Sequence, residues 1–147
     1  MTASTSNHAA RDLTRRELLT LARAGDADAQ LAVALSYDLS KRKNFRLAAY
    51  WYRKAAEQGH REAQNFLAEF VRDHAEDRRQ AILWFRRAAE QGESNAQLSL
   101  GYSLYYGEGT TRDRTAALKW YRLSARQGNA GAMYNIAMMY RDGSGLK

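Results

Sequence analysis

Neither cysteine nor proline occurs anywhere in the 147 residues, histidine occurs only three times, and no apolar run approaches a membrane span. Without cysteine there is no disulfide framework, no thiolate nucleophile and no thiolate metal site, and the redox character of the compartment stays open. Without proline the strongest helix breaker is gone, and with modest β-branched content the chain is predicted to be helical almost throughout. A spanning helix needs about 18 or more apolar residues, and the opening MTASTSNHAA is small and polar, with no apolar run behind a basic start. A soluble cytoplasmic protein without a membrane segment is therefore expected. His8, His60 and His74 are scattered, with no pair on one helix face, so no metal or cofactor is expected.

What is present is ordinary for one folded domain: 45% of residues are apolar and 27% charged, enough to bury a core. The net charge of +7 fits an acidic partner or simple solubility. The informative feature is repetition. WYRKAAEQG at 51–59 returns as WFRRAAEQG at 84–92 and WYRLSARQG at 120–128. The glycine that ends the phrase stands at Gly25, Gly59, Gly92 and Gly128, spacings of 34 (25 to 59), 33 (59 to 92) and 36 (92 to 128). Four residues later comes alanine each time: Ala29, Ala63, Ala96 and Ala132. Asn44, Asp77 and Asp113 each stand 15 residues before a phrase-ending glycine.

Asn and Asp accept hydrogen bonds from the free amides of a first helical turn, about 1 kcal/mol per cap. Glycine is favoured just past a helix end, where the chain turns left-handed. A helix of constant length, helix B, is thereby bracketed, and the length variation falls in the segment before it, as loops permit. Within helix B one stripe is written three times at i, i+3, i+4, i+7 and i+8: Ala48, Trp51, Tyr52, Ala55, Ala56; then Ala81, Trp84, Phe85, Ala88, Ala89; then Ala117, Trp120, Tyr121, Ser124, Ala125. The segment after each glycine, helix A, carries the same template, as in Ala63, Phe66, Leu67, Phe70, Val71 and in Ala132, Asn135, Ile136, Met139, Tyr140. The phrase reads as the recurring contact surface of stacked helical hairpins.

Trp-Tyr-x-Lys-Ala-Ala-Glu-Gln-Gly followed by Ala-Gln, and then Leu-Gly-Tyr-x-Leu-Tyr-Tyr-Gly-Glu-Gly at 100–109, resembles the Sel-1-like repeat, a relative of the tetratricopeptide repeat. The resemblance covers roughly residues 11 to 145; the first two copies lack the Gly-x-Gly loop that Gly107 and Gly109 supply. It implies an all-α fold, an α/α superhelical solenoid of antiparallel hairpins with about three and a half repeats. It also implies a non-enzymatic adaptor or scaffold between proteins, often in bacterial signalling or complex assembly. The expected organisation is a flexible tail at 1–10, a capping helix at 11–24, repeats at 25–58, 59–91 and 92–127, and a partial repeat at 128–147. In the first helix Glu17 stands where the phrase has tryptophan, a polar outer face suited to a cap. At the other end a helix A has no following B, so Tyr134, Ile136, Met138, Met139 and Tyr140 lack a cover; this end is expected either to continue into further repeats or to dock a partner, including a second copy.

The concave groove of such solenoids is lined by helix A residues that miss the core stripe. That register gives Asn65, Glu69 and Arg72, then Asn95, Leu98, Tyr102, Tyr105 and Tyr106, then Tyr134, Met138 and Arg141. Tyrosine and arginine are frequent binding hot spots, so a tyrosine-lined groove for a protein or peptide segment is the sharpest functional expectation, set against tyrosines that merely pack with their hydroxyls in water. Arg53, Arg86 and Arg122 align on successive B helices with Lys54, Arg87 and Lys119 nearby, a ridge that nucleic acid or another polyanion could follow with steep salt dependence. Glu57 and Glu90, four residues after Arg53 and Arg86, favour a solvated face instead. Lys41, Arg42, Lys43 and Arg46 suit an acidic segment. Catalytic residues are not expected. Ser40 to Lys43 matches S-x-x-K by chance, without its partner motifs, and Gly107-Glu108-Gly109 and Gly143-Ser144-Gly145 are turn glycines, not phosphate loops.

Overall fold

The bracketing of helix B is visible atom by atom in a computed structural model that describes residues 13–40, 44–74 and 77–144. All regular structure among the described residues is helical: α1 (Arg15–Ala24), α2 (Ala27–Asp38), α3 (Phe45–Glu57), α4 (Arg61–His74), α5 (Arg78–Glu90), α6 (Ser94–Tyr106), α7 (Arg114–Arg126) and α8 (Ala130–Arg141). The B helices α3, α5 and α7 begin at Asn44, Asp77 and Asp113, whose side-chain oxygens accept the amides of Leu47, Gln80 and Ala116 at 3.1, 2.9 and 2.9 Å. They end at Gly59, Gly92 and Gly128, with φ of 89°, 85° and 86°. Each of these glycine N–H groups donates to Ala56, Ala89 or Ala125, and the following N–H reaches back to Ala55, Ala88 or Ser124. That pair of reversed bonds satisfies carbonyls the helix end leaves open.

The A helices start two residues beyond the glycine, and the residue between is their cap. Asp26, Glu93 and Asn129 cap α2, α6 and α8, each accepting the amide of the alanine four residues past the glycine. His60 caps α4 through Nδ1, which accepts the Ala63 amide at 3.2 Å, while Nε2 donates to Asp28 Oδ1 at 2.8 Å. The constant alanine thus sits in the first turn of helix A, and all four are buried.

The chain divides into two compact units, Met1–Ala63 and Gln64–Lys147, the division falling in the first turn of α4. In the first, α1 packs on α2 and α2 on α3. Buried Gln30 donates to the Ala22 carbonyl at 3.0 Å and accepts from Gln58 at 2.7 Å, and the Tyr52 hydroxyl donates to Asp38 at 3.0 Å. In the second, α5 packs on α6, α6 on α7 and α7 on α8, around Leu67, Phe85, Leu100, Tyr121 and Met139. Gln91 donates to Gln64 at 2.7 Å; Gln127 donates to Gln97 at 2.9 Å, and Gln97 to the Ala89 carbonyl at 3.2 Å. Gly101 lets α6 approach the ring of Tyr121, and a Cβ on Gly109 would run into the Arg78 carbonyl.

Three expectations are corrected. The first helix starts at Arg15 and not at 11, because Thr14 and Glu17 close a reciprocal cap: the Glu17 carboxylate accepts the Thr14 amide and hydroxyl at 2.8 and 2.7 Å, and Thr14 Oγ1 accepts the Glu17 amide at 3.3 Å. The third tryptophan is not equivalent to the others: Trp51 and Trp84 are 8% and 7% exposed, Trp120 is half-buried. Tyr140, assigned to a core stripe, is exposed, since no hairpin covers α8 among the described residues. The predicted tail, Lys41 to Lys43, His8 and Gly145 lie outside the described residues.

Candidate functional site

Residues four and then three positions apart share one helix face. In the Gln64–Lys147 unit this register selects Asn65, Glu69 and Arg72 on α4, Leu98, Tyr102 and Tyr105 on α6, and Tyr134, Met138 and Arg141 on α8. The face is polar on α4 and aromatic on α6. Tyr102, Tyr106 and Tyr134 are 43%, 51% and 64% exposed. The Tyr102 and Tyr106 rings tilt together at 4.5 Å, and Tyr105 meets Tyr106 edge to face at 4.8 Å. A cavity of about 190 Å³ opens among Tyr105, Tyr106, Tyr121, Tyr134, Met138 and Asp142. Burial pushes the Tyr121 phenol well above its ordinary range, with the neighbouring tyrosines adding and a hydrogen bond with Asn135 opposing, so it stays a neutral hydroxyl.

Several expected groove residues have other duties. Asn65 is buried; its amide donates to Glu69 at 3.2 Å and its Oδ1 has no hydrogen-bond partner. Burial raises the Glu69 carboxyl, against that hydrogen bond and the charge of Arg72. Arg72 donates to Asp73 at 2.7 Å and lies over the Phe85 ring at 5.6 Å, so its charge is not free for a ligand. Arg141 repeats the pattern, donating to Asp142 at 2.9 Å. Asn95 sits in the first turn of α6 and accepts from Asn129 at 3.2 Å, a link to the α8 cap. Tyr105 is half-buried, donates to Ser144 at 3.4 Å and carries the Arg114 guanidinium over its ring at 5.1 Å.

On the B helices Arg53, Arg86 and Arg122 are exposed. Among the described residues neither Arg53 nor Arg86 closes an ion pair with Glu57 or Glu90; all four side chains are exposed. Arg122 donates to the Tyr140 hydroxyl at 2.7 Å, and Arg87 lies over the Trp84 ring at 4.5 Å. No group of three or more His, Asp or Glu that could hold a metal is found among the described residues, and none of their helices is long and apolar enough to cross a membrane. Sequence reasoning missed the paired glutamines and the helix A caps; the signal for both was in the sequence, as the Gln before Gly59, Gly92 and Gly128 and the polar residue after each repeat glycine.

The Sel1 repeat family model matches residues 26–60, 61–93, 94–129 and 130–147. The chain belongs to the Sel1 repeat family. Its all-helical hairpins are those of a Sel1 repeat solenoid, a fold generally non-catalytic and commonly a protein-interaction scaffold. Similar solved structures include a protective antigen of uropathogenic Escherichia coli displaying an SLR fold, 31% identical over 91% of this chain and 30% of that one, with a TM-score of 0.87. A Sel1 repeat protein from Oxalobacter formigenes is 34% identical over 90% of this chain and 56% of its own, with a TM-score of 0.83. The cysteine rich protein B of Helicobacter pylori, 21% identical with a TM-score of 0.66 over 83% of this chain and 96% of that one, shares the fold. The chain spans less than two thirds of the first two proteins. No curated protein matches it significantly.

Proposed function

We propose that this Sel1 repeat chain is a protein-interaction scaffold that receives an extended or helical segment of a partner along the exposed face of α6 and α8. The observation that carries the reading is the set of three tyrosines left open there, Tyr102, Tyr106 and Tyr134, on helices whose opposite faces are buried. Tyrosine offers large, stiff, amphipathic contact area at low entropic cost. Affinity capture from native lysate with wild type beside a Tyr102→Ala/Tyr106→Ala double variant tests it. The partner should be lost with the variant while circular dichroism stays helical; equal capture by both proteins removes the groove.

A second reading rests on the unneutralised arginines of the B helices: a polyanion, nucleic acid included, held by phosphate contacts without base recognition. A mobility shift at low salt that weakens steeply with added salt supports it, and no shift at low salt removes it. We also propose self-association through the α7 and α8 end, where Leu123, Met133 and Tyr140 are 39%, 49% and 48% exposed. Sedimentation velocity showing only monomer across a concentration series would eliminate it.

A further inference from the structure

The cavity between α6, α7 and α8 has a chemical character that a general peptide groove does not require. Four of its walls are phenol rings, those of Tyr105, Tyr106, Tyr121 and Tyr134; the ionised side chain lining it is Asp142, and no cationic residue lines it. Arg141 pairs with Asp142 at 2.9 Å through a side chain 65% exposed, without joining the wall. Ring faces are the negative end of the aromatic quadrupole and attract cations held over them. Tyr105 and Tyr106 stand near a right angle, with an interplanar angle of 75°, so they form a corner. Tyr121 is a fixed back wall: it is 2% exposed, and Gly101 is what admits its ring against α6. One ring of the cluster already holds a cation: the guanidinium of Arg114 lies over Tyr105 at 5.1 Å.

We infer that this cavity binds a single alkylammonium head group, the quaternary or methylated ammonium of a small molecule or of a lysine-type side chain on the groove's partner. Its size, about 190 Å³, is below the roughly 300–1,000 Å³ of sites for drug-sized ligands and matches one head group. An apolar side chain would fit the volume but would gain nothing from the ring quadrupoles or from the Asp142 carboxylate, whose Arg141 partner lies outside the wall, whereas an ammonium is attracted by both. The thioether of Met138 adds a polarisable wall suited to N-methyl groups.

The inference deepens the scaffold reading yet fails separately from it, because the probe is a free small molecule and not the partner. The experiment follows the ¹³C-methyl resonances of Met138 and Met139 during titration with choline and, in parallel, with its neutral isostere 3,3-dimethylbutan-1-ol, with Met133 as the control outside the cavity. Choline should shift the two methionines saturably, and the isostere should bind at least about tenfold more weakly, as one or two cation–π contacts imply. Tyr134→Leu, which keeps bulk on an exposed position and removes the ring, should abolish the choline response while the unliganded spectrum stays folded. Equal binding of choline and the alcohol, no saturable shift, or a response unchanged by Tyr134→Leu overturns the assignment. A trimethyl-lysine peptide that binds more tightly than choline identifies the partner's side chain as the source; binding no tighter identifies a free ammonium.

Discussion

At Gly101 one hydrogen atom decides how closely α6 and α7 lie. A Cβ there would come within 2.7 Å of the Tyr121 ring, which is fully buried and cannot swing away. Gly to Ala inside a helix ordinarily gains about 1 kcal/mol; forcing a methyl into a filled core costs about 1–3 kcal/mol. Gly101→Ala should therefore destabilise the protein, by up to about 2 kcal/mol in urea unfolding, whereas Gly131→Ala, which would meet chiefly the flexible end of Leu98 and its own capping side chain, should cost less. Glu69 makes the opposite kind of test. Its folded pKa lies above the unfolded value because of burial, so its ionisation favours the unfolded chain: the contribution it makes is present below the unfolded pKa and is lost as pH rises through the folded one. Glu69→Gln keeps an acceptor for the Asn65 amide and removes the charge. It should raise the melting temperature at pH 7, and the difference should close as pH falls below the carboxylate range. A gain that persists unchanged in acid would show that charge is not its cause.

At the scale of helices and their joints, much was legible because caps are local. Asn44, Asp77, Asp113 and the glycines announce their conformations within a few residues, and the structure has each cap as the spacing predicts. The helix A caps were harder, because Asp26, His60, Glu93 and Asn129 share a position and not a chemistry; His60 caps through a ring nitrogen, its Nδ1 accepting the Ala63 amide. The glutamine pairs were invisible for a different reason. Each joins residues about thirty apart, and only the packing of a B helix against the preceding A helix brings them together. In each pair the helix A glutamine, Gln30, Gln64 or Gln97, is buried while its partner is exposed, so the buried amide cannot be removed cheaply. Gln97→Leu would strip the Ala89 carbonyl of its side-chain donor and Gln127 of an acceptor, and should cost about 1–3 kcal/mol. A Gln97→Leu/Gln127→Leu double variant losing less than the sum of the two singles would establish the pair as a coupled unit.

Across the whole molecule, helices of nearly equal length carry very unequal burial. α5 buries Ala81, Ile82, Trp84, Phe85, Ala88 and Ala89, whereas α1 buries Ala22 alone and α8 buries Ala132 and Met139. The groove was only partly legible for the same reason: spacing assigns a face, but what covers that face depends on neighbours, which is why Asn65 is buried and Tyr134, six residues past its own repeat glycine as Asn65 is past its own, is 64% exposed. In repeat proteins stability is close to a sum of unit terms and nearest-neighbour terms, and opening is local wherever buried contacts are few. Native-state hydrogen exchange should then run as a gradient, with amides of α1 and α8 exchanging through low-energy local openings and those of α5 and α6 only through larger ones. An equal opening energy in all eight helices would mean that the 147 residues unfold as one cooperative body. In that case the exposed tyrosines of α8 would belong to an element as rigid as the core, and a partner would gain nothing by ordering it.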